Sequence, residues 1–355
     1  MKTFISEIAS VRSFRRPSAL RLWLSLVFVI GLGHLLGSAQ EAIVLVGVGS
    51  SVPAPLYNKW AQEYNKRNPS VQMKYVPMGT SEGITQVAHS SGDFGAGEAQ
   101  LAAAERKAGD LIELPSVLIG IVPIYNLPGV HTALRFNGEL LAEIFLGEVK
   151  TWNAPQIAKL NPDTSLPSLP IKVIYRPAGK GSNYVFSEFL SKTSSKFRTQ
   201  IGTSPSPKWP VGAPAERSSD MADKVKSETG SIGYVEAQYA VKANVPHGMV
   251  QNAVGKYVEA SPESLKAACD AVESPGWDKF SASLSNAPGA DAFPITSFTW
   301  LYLRTTSSDS RRASALTDLL NWMYTDGQRL ASEDGYAELP PALLAKVKTK
   351  ASSLH

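Results

Sequence analysis

From Glu41 onward, short apolar runs alternate with helical patterns, and three of the junctions between them are built from small residues: Gly49-Ser50-Ser51, Gly79-Thr80-Ser81 and Gly179-Lys180-Gly181-Ser182. This alternation constrains the fold most, because a βαβαβ order favours a parallel sheet with its loops gathered at the carboxyl ends of the strands. Ile43 to Val48 reads as a buried strand, and Leu56, Trp60 and Tyr64, at four-residue spacing behind Pro53 and Pro55, predict a helix. Val71 to Val76 predicts the next strand, Ile84, Val87 and Ala88 begin the next helix, and Asp93 to Ala96 predicts a third short strand.

A second series starts with the apolar segment Val117 to Tyr125 and continues through a predicted helix from Gly138 to Phe145. Ile171 to Tyr175 reads as a strand, and Tyr184, Phe186, Phe189 and Leu190 mark a helix behind Gly181 and Ser182. Thr203 to Pro214, rich in Pro and Ser, predicts a surface loop. Ser231 to Val235 predicts a strand that enters a helical pattern around Glu236 to Val241. Ile295, Phe298, Trp300 and Tyr302 predict a late strand, and Leu316, Leu319, Leu320 and Met323 an amphipathic helix after it. No internal repeat is visible, and the aromatic positions are assigned to packing.

The first 39 residues read as an export signal. Arg12, Arg15, Arg16 and Arg21 precede an apolar run from Leu22 to Leu36, and Gly37, Ser38 and Ala39 suit signal-peptidase cleavage. The run is short and interrupted by glycine, unlike a membrane span. Lys2 and those four arginines against Glu7 account for the whole formal charge of +4, so the chain from Gln40 on is neutral. No basic block remains to support a nucleic-acid partner. The roughly 300 residues left exceed what one hydrophobic core usually organises, so two domains are expected. Cys269 is the single cysteine, which excludes an intramolecular disulfide and a lipid-anchored cysteine after the apolar run. Ser261 as N-cap and Pro262 behind it place Cys269 on a helix with Leu265 and Ala268, where a buried structural thiol is expected.

A helix N-terminus presents unpaired backbone N–H groups and partial positive charge, and glycine lets an anion approach that backbone closely. One loop of this kind is ordinarily just a helix cap. Three in one chain, with Arg176 beside the third, point to a small oxyanion, which the planar, permanently charged guanidinium fits well.

Four stretches, GVGSSVPAPLYNKWAQEYNK from Gly47, GDFGAGEAQL from Gly92, GSIGYVEAQYA from Gly230 and FPITSFTWLYL from Phe293, are similar to the periplasmic phosphate-binding proteins of the phosphate-specific ABC importer. The resemblance covers nearly the whole chain after the export signal. It implies an α/β, two-lobed periplasmic-binding-protein fold of type II. The Rossmann-like lobes, 40–118 plus 289–355 and 119–288, are joined by crossover hinge strands. It also implies inorganic phosphate as ligand, permease subunits of an inner-membrane ABC importer as partner, a periplasmic monomer, no cofactor and no enzymatic activity. Carried over by position, the phosphate ligands are Ser51 and the amide of Val52, the Thr80 hydroxyl, Arg176, the amide of Gly181 and the Ser182 hydroxyl. Glu98 stands where the family has an aspartate that accepts the phosphate proton.

The third loop departs from the family's Asp-Gly-Ser-Gly-Thr: here it reads Ala178-Gly179-Lys180-Gly181-Ser182. A carboxylate near the arginine is thereby missing, and Lys180 replaces a serine donor, adding a cation expected to pair with Glu98 or touch the anion. A later family loop is replaced by Pro214-Ala215-Glu216-Arg217-Ser218-Ser219-Asp220. A buried carboxylate that accepts a hydrogen bond rewards a protonated oxyanion over an ionised one, so it favours phosphate over sulfate.

Three other readings compete: a binder of a sulfate-like oxyanion, an exported phosphatase, and a receptor that has lost transport. Metal-dependent hydrolysis needs clustered ligands, whereas His89, His131, His247 and His355 are scattered. Gly179-Lys180 lacks the leading glycine of a Walker loop, and no serine stands in a Gly-x-Ser-x-Gly elbow.

Overall fold

The computed structural model describes residues 41–108, 110–272, 280 and 282–354. The export signal expected over residues 1–39 lies outside them. Among the described residues, eleven strands follow in order: β1 (Ile43–Gly49), β2 (Val71–Pro77), β3 (Phe94–Gly97), β4 (Leu111–Tyr125), β5 (Arg135–Phe136), β6 (Lys172–Tyr175), β7 (Ala213–Pro214), β8 (Ser231–Glu236), β9 (Met249–Gln251), β10 (Tyr257–Val258) and β11 (Thr296–Arg304). Eight form one sheet in the order β2-β1-β3-β11-β4-β8-β6-β7, and β10-β9-β5 form a small second one.

The large sheet consists of two parallel triplets joined by two long strands. β1 runs parallel to β2 and β3, as the alternating strand and helix patterns predict, and β6 runs parallel to β7 and β8. Between the triplets, β11 is antiparallel to β3 and β4, and β4 is antiparallel to β8. The first triplet therefore runs with β4 and the second against it, so their carboxyl ends point toward each other. The register locates the meeting zone: Gly97 of β3 pairs with Trp300, which pairs with Pro115 of β4, while Glu236 of β8 pairs with Ile121.

Two elements differ from their sequence expectation. β4 begins at Leu111 rather than Val117, because its first residues pair with Trp300 to Arg304 of β11, which supply backbone partners across a less uniformly apolar stretch. Ile84, Val87 and Ala88 end their helix instead of beginning it, since the chain turns helical directly at Thr80 after Gly79. The other predicted strands and helices lie where their periodicity places them, but the stretch Thr203 to Pro214, expected as a surface loop, ends in strand β7, because Ala213 and Pro214 pair with Ile174 and Tyr175 of β6.

Each triplet packs on its own aromatic cluster. Tyr57 stacks on Trp60 at 4.9 Å between centroids, and the Tyr57 hydroxyl meets Ser116 Oγ at 2.7 Å. In the other half Phe186 stacks on Tyr234 at 4.2 Å, with Phe145 edge-on to both. Such pairs add about 0.5–1.5 kcal/mol each beyond their buried area, so these rings act as core. Cys269 is buried on the helix Pro262–Asp270, capped by the Ser261 hydroxyl, and burial pushes its thiol up to about 12.

Candidate functional site

Six strand ends deliver the polar residues of the meeting zone. Ser50 and Ser51 follow β1, Thr80 follows β2, Glu98 follows β3, Arg176 follows β6, Glu216 and Ser218 follow β7, and Glu236 closes β8. Gly49 permits the first corner to form: its φ is +143°, and a β-carbon there would lie 2.0 Å from the Ala96 carbonyl oxygen. Its own carbonyl accepts from the amides of Met78 (2.6 Å) and Gly79 (2.8 Å), tying the loop after β2 to the loop after β1.

Arg176 is the centre of the arrangement and is only 2% exposed. Nη1 donates to Ser218 Oγ (3.0 Å) and Ser182 Oγ (3.3 Å), while Nη2 donates to the Glu216 carbonyl (2.9 Å) and Ser51 Oγ (3.3 Å). Nε makes no hydrogen bond. Its backbone is fixed from below: the amide donates to the Tyr234 hydroxyl at 3.1 Å, and Asn183 Nδ2 donates to the carbonyls of Arg176 (3.0 Å) and Pro177 (2.7 Å). Tyr234 in turn donates to Asn183 Oδ1, which closes a ring of bonds around the start of the third loop.

Arg176, Ser50, Ser51, Lys180, Gly181 and Ser182 border a cavity of about 140 Å³, together with Gly79 and Glu216. That suits a small ion, since pockets for larger organic ligands run to about 300–1,000 Å³. A larger groove of about 410 Å³ beside Pro55, Val241 and Leu265 has a mainly apolar lining that includes no arginine.

Of the residues the sequence singles out, Ser51, Arg176, Lys180, Gly181 and Ser182 share this cavity. Val52 lies apart from its lining, buried, with its amide donating to Ser50 Oγ at 3.1 Å. Thr80 and Glu98 form an adjoining cluster on the far side of Gly181. Thr80 Oγ1 donates to Glu98 Oε2 and Thr299 Oγ1 to Glu98 Oε1, each at 3.3 Å. Glu98 is fully buried. Burial pushes its carboxyl up to about 8, opposed by the Ser50 hydroxyl; Glu236 pushes it further up, and the Thr80 and Thr299 hydroxyls oppose the rise. Lys180 places its ammonium on the Glu216 carboxylate and, at 3.4 Å, on the Met78 carbonyl, so its ionic partner is Glu216 and not Glu98.

Three participants escape the sequence reading. Ser218 looks like an ordinary first-turn serine, yet its hydroxyl joins Arg176 to Ser51. Thr299 sits inside a strand whose apolar neighbours mask it. Glu236 falls at a strand-to-helix boundary, where an acidic residue is expected as a solvated cap, but it is fully buried.

The sequence matches the family described as "PBP superfamily domain" over residues 36–327. The phosphate-binding protein PstS of Xylella fastidiosa (strain 9a5c) is 33% identical over 309 residues, covering 87% of this chain and 85% of that one. The chain belongs to the PstS family within the PBP superfamily. The PstS protein of Haemophilus influenzae is 32% identical, covering 91% of this chain and 96% of its own. A crystal structure of a phosphate binding protein from Stenotrophomonas maltophilia shares the fold, with a TM-score of 0.66 at 15% identity over 87% of this chain and 94% of that chain. The PstS-family fold is α/β, in agreement with the two parallel triplets and the crossing strands β4 and β11.

Proposed function

We propose that this protein binds inorganic phosphate at Arg176 and hands it to the permease subunits of an ABC importer, acting in the periplasm as a monomeric, cofactor-free, non-enzymatic receptor. The observation that carries the reading is the buried Arg176 guanidinium, ringed by the hydroxyls of Ser51, Ser182 and Ser218 at facing strand ends. A charge-assisted fork surrounded by neutral donors matches an oxyanion with several acceptor oxygens. The PstS relatives are named as phosphate-binding proteins. Among the described residues, no helix is long and apolar enough to cross a membrane, and no group of acidic, histidine or cysteine side chains could hold a metal ion.

In this reading the two triplets are the cores of the two lobes, 40–118 with 289–355 and 119–288, hinged through β4 and β11. The amide of Val52, the Thr80 hydroxyl and the Glu98 carboxyl come to the anion as the lobes rearrange. Isothermal titration with phosphate tests the function: stoichiometric binding supports it, and the absence of any heat or thermal shift refutes it. Phosphate release from a monoester, with and without divalent metal, would instead favour a phosphatase.

A second reading, a receptor that also takes sulfate, draws on one observation. With its carboxyl pushed up to about 8, Glu98 carries a proton at neutral pH and offers a donor to a fully ionised oxyanion.

A further inference from the structure

Tyr239 ties the loop after β1 to the opposite triplet without bordering the cavity itself. It sits half-buried on the helix Ala237–Ala243, which follows β8, and its hydroxyl donates to the Ser51 carbonyl at 2.9 Å. Burial pushes the phenol up, so it keeps its proton and remains a donor at neutral pH. The ring borders the apolar groove beside Pro55, Val241 and Leu265, outside the cavity of about 140 Å³. The Ser51 carbonyl also accepts from the Ala54 amide, at a longer 3.3 Å.

This bond fixes more than one atom. The peptide joining Ser51 to Val52 is planar and trans, so its carbonyl and its N–H point in opposite directions. With the carbonyl held toward Tyr239, the Val52 N–H is aimed the other way, where it donates at 3.1 Å to the hydroxyl of Ser50, a residue of the cavity wall. The Ser51 hydroxyl lies on the cavity side as well, 3.3 Å from both Arg176 Nη2 and Ser218 Oγ. An entering anion must share those hydroxyl contacts, whereas it does not compete for the backbone bond to Tyr239. The next carbonyl along, that of Val52, accepts from the Tyr336 hydroxyl at 2.8 Å, but its peptide continues into Pro53, which has no N–H to present.

We propose that Tyr239 is a positioning residue for the anion: from across the meeting zone it holds the Ser51-Val52 peptide so that the Val52 amide and the Ser51 hydroxyl stay presented to bound phosphate, and it thereby slows release. The inference rests on the phosphate-binding reading of the same site. Tyr239 touches no anion and acts through the peptide it holds, so its loss is felt after binding, when the corner must stay in place around the ion.

The experiment measures phosphate affinity by isothermal titration and release by chasing bound radiolabelled phosphate with an excess of unlabelled phosphate, in wild type, Tyr239→Phe and Tyr336→Phe. Tyr239→Phe keeps the ring in its packing and removes only the donor. Its release rate should rise by about five- to tenfold while association stays within about threefold of wild type, since affinity changes at one interface fall mostly on dissociation. Tyr336→Phe removes a bond of similar length that aims no amide. It should lower the melting temperature by about 2–4 °C and leave release within about twofold of wild type. A bond that merely stabilises the fold predicts lower melting temperatures and unchanged release in both variants, and that result overturns the proposal, as does equal acceleration in the two. Should Tyr239→Phe not fold, amide hydrogen exchange in wild type decides the matter: phosphate must slow exchange at Val52, and an unchanged rate there overturns the proposal. Wild type that binds no phosphate refutes the underlying reading; wild type that binds, with Tyr239→Phe releasing no faster, refutes this proposal alone.

Discussion

Gly181 lies so close to Glu98 that a β-carbon on it would stand 1.9 Å from Oε2 of the carboxyl group and 2.5 Å from Thr80 Oγ1. The two residues come from opposite triplets of the sheet, one after β3 and one after β6, so their contact measures how closely the facing corners meet. A second link repeats the message: the Ser81 amide donates to the Gly179 carbonyl at 3.2 Å.

Gly181→Ala should therefore hold the two corners apart. Both neighbours are buried and fixed by hydrogen bonds, so the added carbon is accommodated only by backbone movement. The expected outcome is a loss of phosphate affinity of about tenfold or more, with a fall in melting temperature of a few degrees, read by calorimetry and thermal denaturation. An unchanged dissociation constant would show that these corners need not meet for the anion to bind.

Arg176→Lys should be nearly as damaging as Arg176→Gln. The guanidinium sends separate donors to Ser182 and Ser218 from one nitrogen and to Ser51 and the Glu216 carbonyl from the other, a fork that an ammonium cannot reproduce. Losing a buried charge-assisted contact costs about 2–5 kcal/mol, so phosphate affinity should drop by roughly a hundredfold or more for both variants. If the lysine variant binds like wild type, simple charge is sufficient and the fork geometry carries no weight.

The strand-to-helix corners were legible because their signals are local. Gly49, Gly79 and Gly181 stand beside hydroxyl residues at the ends of apolar runs, and helices do start at Ala54, Thr80 and Gly181. What stayed hidden was pairing across the meeting zone, which depends on register between segments far apart in the chain. Nothing near Lys180 says that its partner is Glu216 in place of Glu98, because that choice follows from the path of the loop after β7. Burial of Glu236 is set by its pairing with Ile121 on β4, a contact no local pattern encodes.

Lys180 should contribute little on its own. Its ammonium is mostly covered, but its partner Glu216 is 64% exposed, and such half-open pairs are worth about 0–1 kcal/mol. Glu216→Gln should change phosphate affinity by less than about fivefold, with the difference shrinking as salt is raised from 0.05 to 0.5 M. A hundredfold effect that survives high salt would instead make this pair a principal clasp over the cavity.

Glu98 predicts a pH dependence with a definite sign. Its folded-state carboxyl is pushed up to about 8 from an ordinary 4.5, so the folded chain holds this proton more tightly than the unfolded chain. The contribution to stability is then full below pH 4.5, declines as the pH rises, and is lost above about pH 8, where an ionised carboxylate must stay buried. Glu98→Gln removes that decline. Without added anion, its melting temperature relative to wild type should rise by roughly 5 °C between pH 5 and pH 9. The same titration governs selection between anions. With the proton on, Glu98 can donate to sulfate; with it off, the carboxylate accepts only from an oxyanion that still carries a proton, as phosphate does. The ratio of phosphate to sulfate affinity should therefore climb from pH 6 to pH 9 by about tenfold or more beyond the change in Glu98→Gln, where only the ionisation of phosphate itself remains. A ratio that changes alike in wild type and Glu98→Gln would remove Glu98 from the discrimination and leave only Arg176 and its ring of hydroxyls to account for it.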